Sequence, residues 1–280
     1  MKLIISLLLI IPSLSWGLTF KDGKQVGSED SFYVDEGFEW KIDCGVDEGA
    51  ITRDGEIWVF KESKNYCSGL DWIEGATDKD VLKQNNFMSP LRTEIVTIND
   101  VPVDEFSTYE FESFFSIGSN SNDNFHIFQL SDGGAECAKP LMITIDENNK
   151  IMWKSDYKIV NPDDEIFPLC ESINYPKGQT NILRDGTQYK LSLILNFKNN
   201  GSFDAEIFID DNLEISGTYE IPKDGTKKNC FFKEGTNHIT CEDTEIKYIR
   251  PKWWIFKHGL YSSNNMKVTL KSNWKLKKLK

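Results

Sequence analysis

A chain of 280 residues has room for one large domain or two small ones. Hydrophobic residues at 39% and charged residues at 27% permit a packed core and exclude wholesale disorder. Asp and Glu number 44 against 32 Lys and Arg, a net charge of -12 that repels phosphate overall and excludes a general nucleic-acid binder, though not a local basic cleft.

The first 17 residues read MKLIISLLLIIPSLSWG: Lys2, an apolar run from Leu3 to Ile11, then Ser15 and Gly17 at the -3 and -1 positions of a cleavage site. This pattern predicts a secretory signal peptide. Pro12 and the polar sequel keep it short of the roughly 20 apolar residues a spanning helix needs. No later stretch is apolar enough to span, so residues 18–280 are expected as one exported soluble domain, a monomer with no transmembrane segment.

Along the chain, short alternating or apolar runs are separated by turn clusters. Strands are predicted over Phe32–Cys44, Glu56–Phe60, Arg92–Ile98, Thr108–Ile117, Asn124–Ser131, Leu141–Ile145 and Ile151–Lys154. They continue over Tyr189–Phe197, Phe203–Ile209, Leu213–Ile221, Trp253–Tyr261 and Met266–Lys275, with one short helix around Thr77–Gln84. Asp132-Gly133-Gly134, Glu147-Asn148-Asn149, Asn199-Asn200-Gly201 and Asp210-Asp211-Asn212 read as turns. Many strands without crossover helices imply an all-β antiparallel sandwich or jelly roll.

Six cysteines (44, 67, 137, 170, 230 and 241) in an exported chain suggest three disulfides, with sequence-adjacent pairing as the expectation among fifteen combinations. No CxxC pair exists and His is scarce, which argues against zinc. Asn200-Gly201-Ser202 is a glycosylation sequon in a turn. Asp163-Asp164-Glu165 has the oxygen-rich character that suits calcium, but charge runs usually form solvated loops, and no cofactor is expected. The lysines at 275, 277, 278 and 280 read as an edge-strand guard or a fraying tail.

Three segments depart from the simple apolar-in, polar-out strand. In Arg92-Thr93-Glu94-Ile95-Val96, Arg92 and Glu94 share a face. In Phe128-Gln129-Leu130-Ser131, Gln129 and Ser131 share one, and in Phe256-Lys257-His258-Gly259-Leu260-Tyr261, Lys257 and Tyr261 do. Were the three strands neighbours, their polar faces would merge into a patch suited to an acidic sugar chain. The plainer reading makes each a solvent-facing pair on an ordinary sheet.

RTEIV, FQLS and IFKHGLY, in that order, resemble the signature strands of the alginate-lyase superfamily of polysaccharide lyases, which also includes glucuronan lyases and resembles heparin lyase I. Its alginate members carry RxELR, QIH and YFKAGVY strands in the same order. The resemblance spans Arg92 to Tyr261 and implies a concanavalin-like β-jelly roll of two stacked antiparallel sheets. It also implies β-elimination of an acidic, uronate-containing polysaccharide. In that reading Arg92 and Gln129 neutralise the substrate carboxylate. Tyr261 is the acid toward O4 and a candidate base, Lys257 and Ser131 line the substrate path, and Glu94 orients Arg92. A phenol titrates near 10 in water, so use as a base requires a neighbouring cation.

The chain departs from the pattern at three places: Ser131 where the family has His, Val96 for the second Arg, and His258 for a small residue. Without that His, either Tyr261 serves as both base and acid, or another His enters, or the chemistry is gone. By strand parity His126 and His258 point into the core unless a bulge intervenes, and His238 falls in a loop. The rival function is a non-catalytic secreted carbohydrate-binding or coat protein on the same fold.

Overall fold

The computed structural model describes residues 18–19, 33–35, 37–42, 49–62, 92–98, 100–133, 137–162, 168–232, 239–262 and 267–280. The predicted signal peptide and helix, the 163–165 acidic run, His238, Cys44 and Cys67 lie outside the described residues.

Strands follow one another in chain order as β1 (Leu18–Thr19), β2 (Tyr33–Asp35), β3 (Phe38–Ile42), β4 (Ile51–Asp54), β5 (Ile57–Lys61), β6 (Arg92–Thr97) and β7 (Val101–Pro102). The series continues with β8 (Ser107–Ser119), β9 (Phe125–Ser131), β10 (Leu141–Ile145), β11 (Ile151–Ile159), β12 (Leu169–Asn174) and β13 (Asp185–Phe197). It ends with β14 (Phe203–Ile209), β15 (Asn212–Tyr219), β16 (Gly225–Phe232), β17 (Ile239–Ile246), β18 (Trp253–Tyr261) and β19 (Val268–Lys278). Among the described residues there is no helix, and so none long and apolar enough to cross a membrane.

Two large antiparallel sheets carry the molecule, a β-jelly roll. One runs β1-β4-β5-β19-β8-β13-β14-β15 and the other β12-β11-β10-β9-β18-β6-β3-β2. Each strand that the period-2 pattern marked lays its apolar set on the seam between them. Tyr109, Phe111, Phe115 and Ile117 of β8 are buried, as are Leu191, Leu193, Leu195 and Phe197 of β13. Aromatic pairs bridge the sheets: Trp40 meets Trp274 at 4.5 Å and Phe111 meets Phe128 at 4.6 Å between ring centroids. Edge-to-face and offset contacts of this kind add to the area they bury.

Two expectations change. The lysine-rich 275–280 stretch is not a frayed tail: it pairs with β8 through Lys278, while the β5 register ends at Ser272, so among the described residues its other flank is an edge as the guard reading expects. Strand β19, placed between β5 and β8, runs on to Lys278, with Trp274 and Leu276 buried and Lys275 and Lys277 exposed. Lys278 pairs with Glu105. The second change is a two-stranded ribbon, β16–β17, which stands apart from both sheets. Alternation does not reveal it, because Lys227 and Lys228 are followed by no regular apolar face.

Cys137 and Cys170 form a disulfide, as sequence-adjacent pairing predicts. Cys241 is also disulfide-bonded, and Cys230 stands opposite it in the β16–β17 register.

Candidate functional site

Strands β9, β18 and β6 are consecutive in one sheet. Residues directly opposed across an antiparallel pair project to the same side. Lys257 is opposed to Gln129 on β9 and to Val96 on β6, Gly259 to Glu94, and Tyr261 to Arg92. Ser131 is opposed to Ile255 at the far end. The face turned away from the core thus gathers Ser131, Gln129, Lys257, Tyr261 and Glu94. All but Tyr261 are buried, Glu94 most deeply.

Gln129 and Glu94 sit on strands two apart, about 9–10 Å at ordinary spacing. Gln129 Nε2 nonetheless donates to Glu94 Oε1 at 2.5 Å. On the strand between them, Gly259 is opposed to Glu94 and Lys257 to Gln129. The resemblance expects Glu94 to orient Arg92; its carboxylate also accepts the amide of Gln129. The side chain of Arg92 lies outside the described residues, and the ladder fixes only its place opposite Tyr261.

The largest correction concerns His126. Parity with Phe128 predicts a core-facing ring. The register slips at Ile127 on both sides of β9: Phe128 pairs with Ile143 and His126 with Thr144, while across β18 the pairs are Phe128 with His258 and His126 with Tyr261. This β-bulge puts Ile127 and Phe128 both in the core and turns His126 to the polar face. There its ring stacks on Tyr261, with centroids 5.3 Å apart and planes 24° from parallel. His126 Nδ1 lies 2.7 Å from Thr144 Oγ1. No sequence signal marks the slip, because both residues at the bulge are apolar. His258, by contrast, is in the core as its parity predicts, between Phe60, Phe111 and Trp274.

Burial, and then the charge of Lys154, pushes His126 down to about 3, and burial does the same to His258. Both imidazoles are therefore neutral at physiological pH, and His126 keeps one unprotonated ring nitrogen, a weak base for as long as the ring stays buried. The same shift has a consequence for stability. Unfolded, each ring titrates near 6.5, so between about 6.5 and about 3 the unfolded chain holds more protons than the folded one. Stability is expected to fall as pH drops through that window, at up to about 2.7 kcal/mol per pH unit for two rings. Urea midpoints measured from pH 7 to pH 4 check this, and His126→Gln is expected to halve the slope.

Beyond this cluster, a buried ion pair has no counterpart among the sequence expectations: Lys158 of β11 reaches Asp132, next to Ser131, at 2.6 Å. Cys137, Cys170 and Asp156 lie close enough to suggest a metal site, but the two sulfurs are joined to each other and Asp156 accepts the Ala138 N–H at 2.6 Å.

Compared with known proteins, the sequence matches no family model and no curated protein. Among solved structures the chain is similar to alginate lyase AlyC3, at 14% identity over 84% of this chain and 81% of that one, with a TM-score of 0.47. It is also similar to alginate lyase PA1167 from Pseudomonas aeruginosa (8% identity, 81% and 84% covered, TM-score 0.39). A third is alginate lyase A1-II′ of polysaccharide lyase family 7 (10% identity, 88% and 85% covered, TM-score 0.38).

Proposed function

We propose that the protein is a secreted polysaccharide lyase that cleaves a uronate polymer by β-elimination, with His126 as base and Tyr261 as acid. The observation that carries this reading is the stacked pair of a neutral imidazole and a phenol on a recessed polar face. In the reaction His126 takes the C5 proton beside the uronate carboxylate. The electron pair of that C–H bond becomes the C4–C5 double bond, the C4–O4 bond breaks, and the Tyr261 hydroxyl gives its proton to O4. Charge builds on the carboxylate as the proton leaves, and Arg92, Lys257 and the second N–H of Gln129 are assigned to hold it. The export expected from the leader segment agrees with the Cys137–Cys170 disulfide.

The pair also bears on substrate stereochemistry. A sugar lying between the two rings would need about 7–8 Å, two carbon–carbon contacts of 3.5–4.0 Å. The rings are 5.3 Å apart, so both groups approach the sugar from one side. Such syn elimination suits glucuronate and mannuronate, in which C5–H and C4–O lie on the same side, and not guluronate, the C5 epimer of mannuronate.

The test is incubation with polymannuronate, polyguluronate, polyglucuronate and heparin while following the ultraviolet absorbance of the unsaturated uronate. Product is expected from polymannuronate or polyglucuronate and not from polyguluronate. No product from any polymer would end the enzyme reading. The carbohydrate-binding alternative draws on Glu94, a buried carboxylate on the same face that opposes a second anion. Retention on a uronate polymer without product would favour it.

A further inference from the structure

We propose that His258 is a positioning residue that clamps, from the core side, the β-bulge by which His126 is presented to Tyr261. The clamp stands on its own geometry; its importance for catalysis rests on the lyase reading.

Without the slip at Ile127, position 126 would share the side of Phe128 and its ring would enter the core. The bulge removes Ile127 from both ladders, for neither the β10 nor the β18 register gives it a partner. Its carbonyl is met by the ring of His258, whose Nδ1 is 2.8 Å from Ile127 O. A carbonyl oxygen only accepts, so Nδ1 carries the hydrogen and Nε2 of the neutral ring is an acceptor. Ser272 Oγ, 2.9 Å from Nε2, must then donate to it. Ser113 Oγ lies 2.7 Å from Ser272 Oγ and donates in turn. One directed relay therefore runs from Ser113 on β8 through Ser272 on β19 to His258, and ends on the bulge.

Ser113, Ser272 and His258 are all about 1% exposed, so water cannot substitute for any link. Phe60, Phe111 and Trp274 surround the imidazole with centroids 5.3, 5.1 and 5.6 Å away and hold its orientation. The opposite sheet thus fixes the ring, and the ring fixes the one irregular carbonyl of β9. An apolar residue at 258 would strand that carbonyl in the core. A regular register would give it a ladder partner again and carry His126 to the wrong face.

The first test needs no substitution. Imidazole ¹⁵N spectra of the whole protein at pH 7 are expected to show His258 as the Nδ1–H tautomer; an Nε2–H tautomer would overturn the proposal. The second compares His258→Leu, which fills the volume without a donor, with His258→Asn, whose Nδ2 can replace Nδ1. In His258→Leu the nuclear Overhauser contacts between the His126 and Tyr261 rings are expected to vanish, and in His258→Asn to persist. Unchanged contacts in a folded His258→Leu protein would sink the clamp. If the wild type is a lyase, His258→Leu should lower kcat by about 100-fold with KM nearly unchanged, and His258→Asn should recover most of it. A wild type with no lyase activity would refute the enzyme reading, while the spectra would still decide for or against the clamp.

Discussion

Tyr261→Phe is expected to lower the rate of uronate elimination by about 10³-fold while leaving the fold intact. General acid catalysis by one positioned group contributes between about 10² and 10⁴. The substitution removes one oxygen and keeps the ring, so the stack on His126 survives and binding is little changed. The loss should appear in kcat, since the proton is given to O4 only as the C4–O4 bond breaks. His126→Gln is expected to fall by a similar factor, and the double variant by little more than either single one, because the pair acts as a unit. Burial keeps His126 neutral down to about 3, so the acid limb of kcat/KM should lie well below the ordinary imidazole value of 6.5. A Tyr261→Phe protein that retains more than about a tenth of the wild-type rate would remove Tyr261 from the chemistry.

Gly259→Ala is expected to destabilise the protein by about 3 kcal/mol or more and to disarrange the polar face. Gly259 has a φ of +136°, a conformation that side chains of L-residues rarely enter. An added Cβ would overlap the Thr93 carbonyl oxygen and lie 2.8 Å from Glu94 Cα. Both obstacles are main chain of β6 and cannot swing aside. The strand would have to move, and Glu94 would move with it, away from Gln129. Urea denaturation gives the stability change, and the Gln129 side-chain amide resonances report the broken bond. A loss below about 1 kcal/mol would show that β6 yields easily. The glycine of the FKHGLY segment therefore has a mechanical reason: a Cβ there would collide with the main chain of β6 and press on the core ring of Phe60.

Strands whose one face is apolar declare themselves in the residue order. Phe203, Ala205, Ile207 and Ile209 of β14 alternate with polar positions, and all four are buried. The polar face of β9, β18 and β6 can be read in the same way, because parity depends only on position along a strand. Their adjacency cannot, since strand order in a sheet is a long-range fact. Parity fails where the ladder slips. Between His126 and Gln129 the chain reads Ile127-Phe128, two apolar residues that fit a regular strand as well as a bulge. His258 looks like a spare core histidine in the sequence, and its use becomes visible only when Ile127 lies across from it. Strands β12, β16 and β17 escape the pattern because none has a buried apolar stripe among its described side chains.

The position of β19 has a consequence for how the molecule comes into being. It fills the gap between β5 and β8, pairing Leu270 with Phe60 on one flank and Leu276 with Phe111 on the other. Its partners are made far earlier by the ribosome, and until residues 268–278 emerge that sheet remains in two unjoined halves with bare edges. Assembly is therefore expected to be late and slow, governed by contacts remote in the chain. A nascent polypeptide still lacking β19 would expose two sticky seams, the condition in which holding factors are recruited.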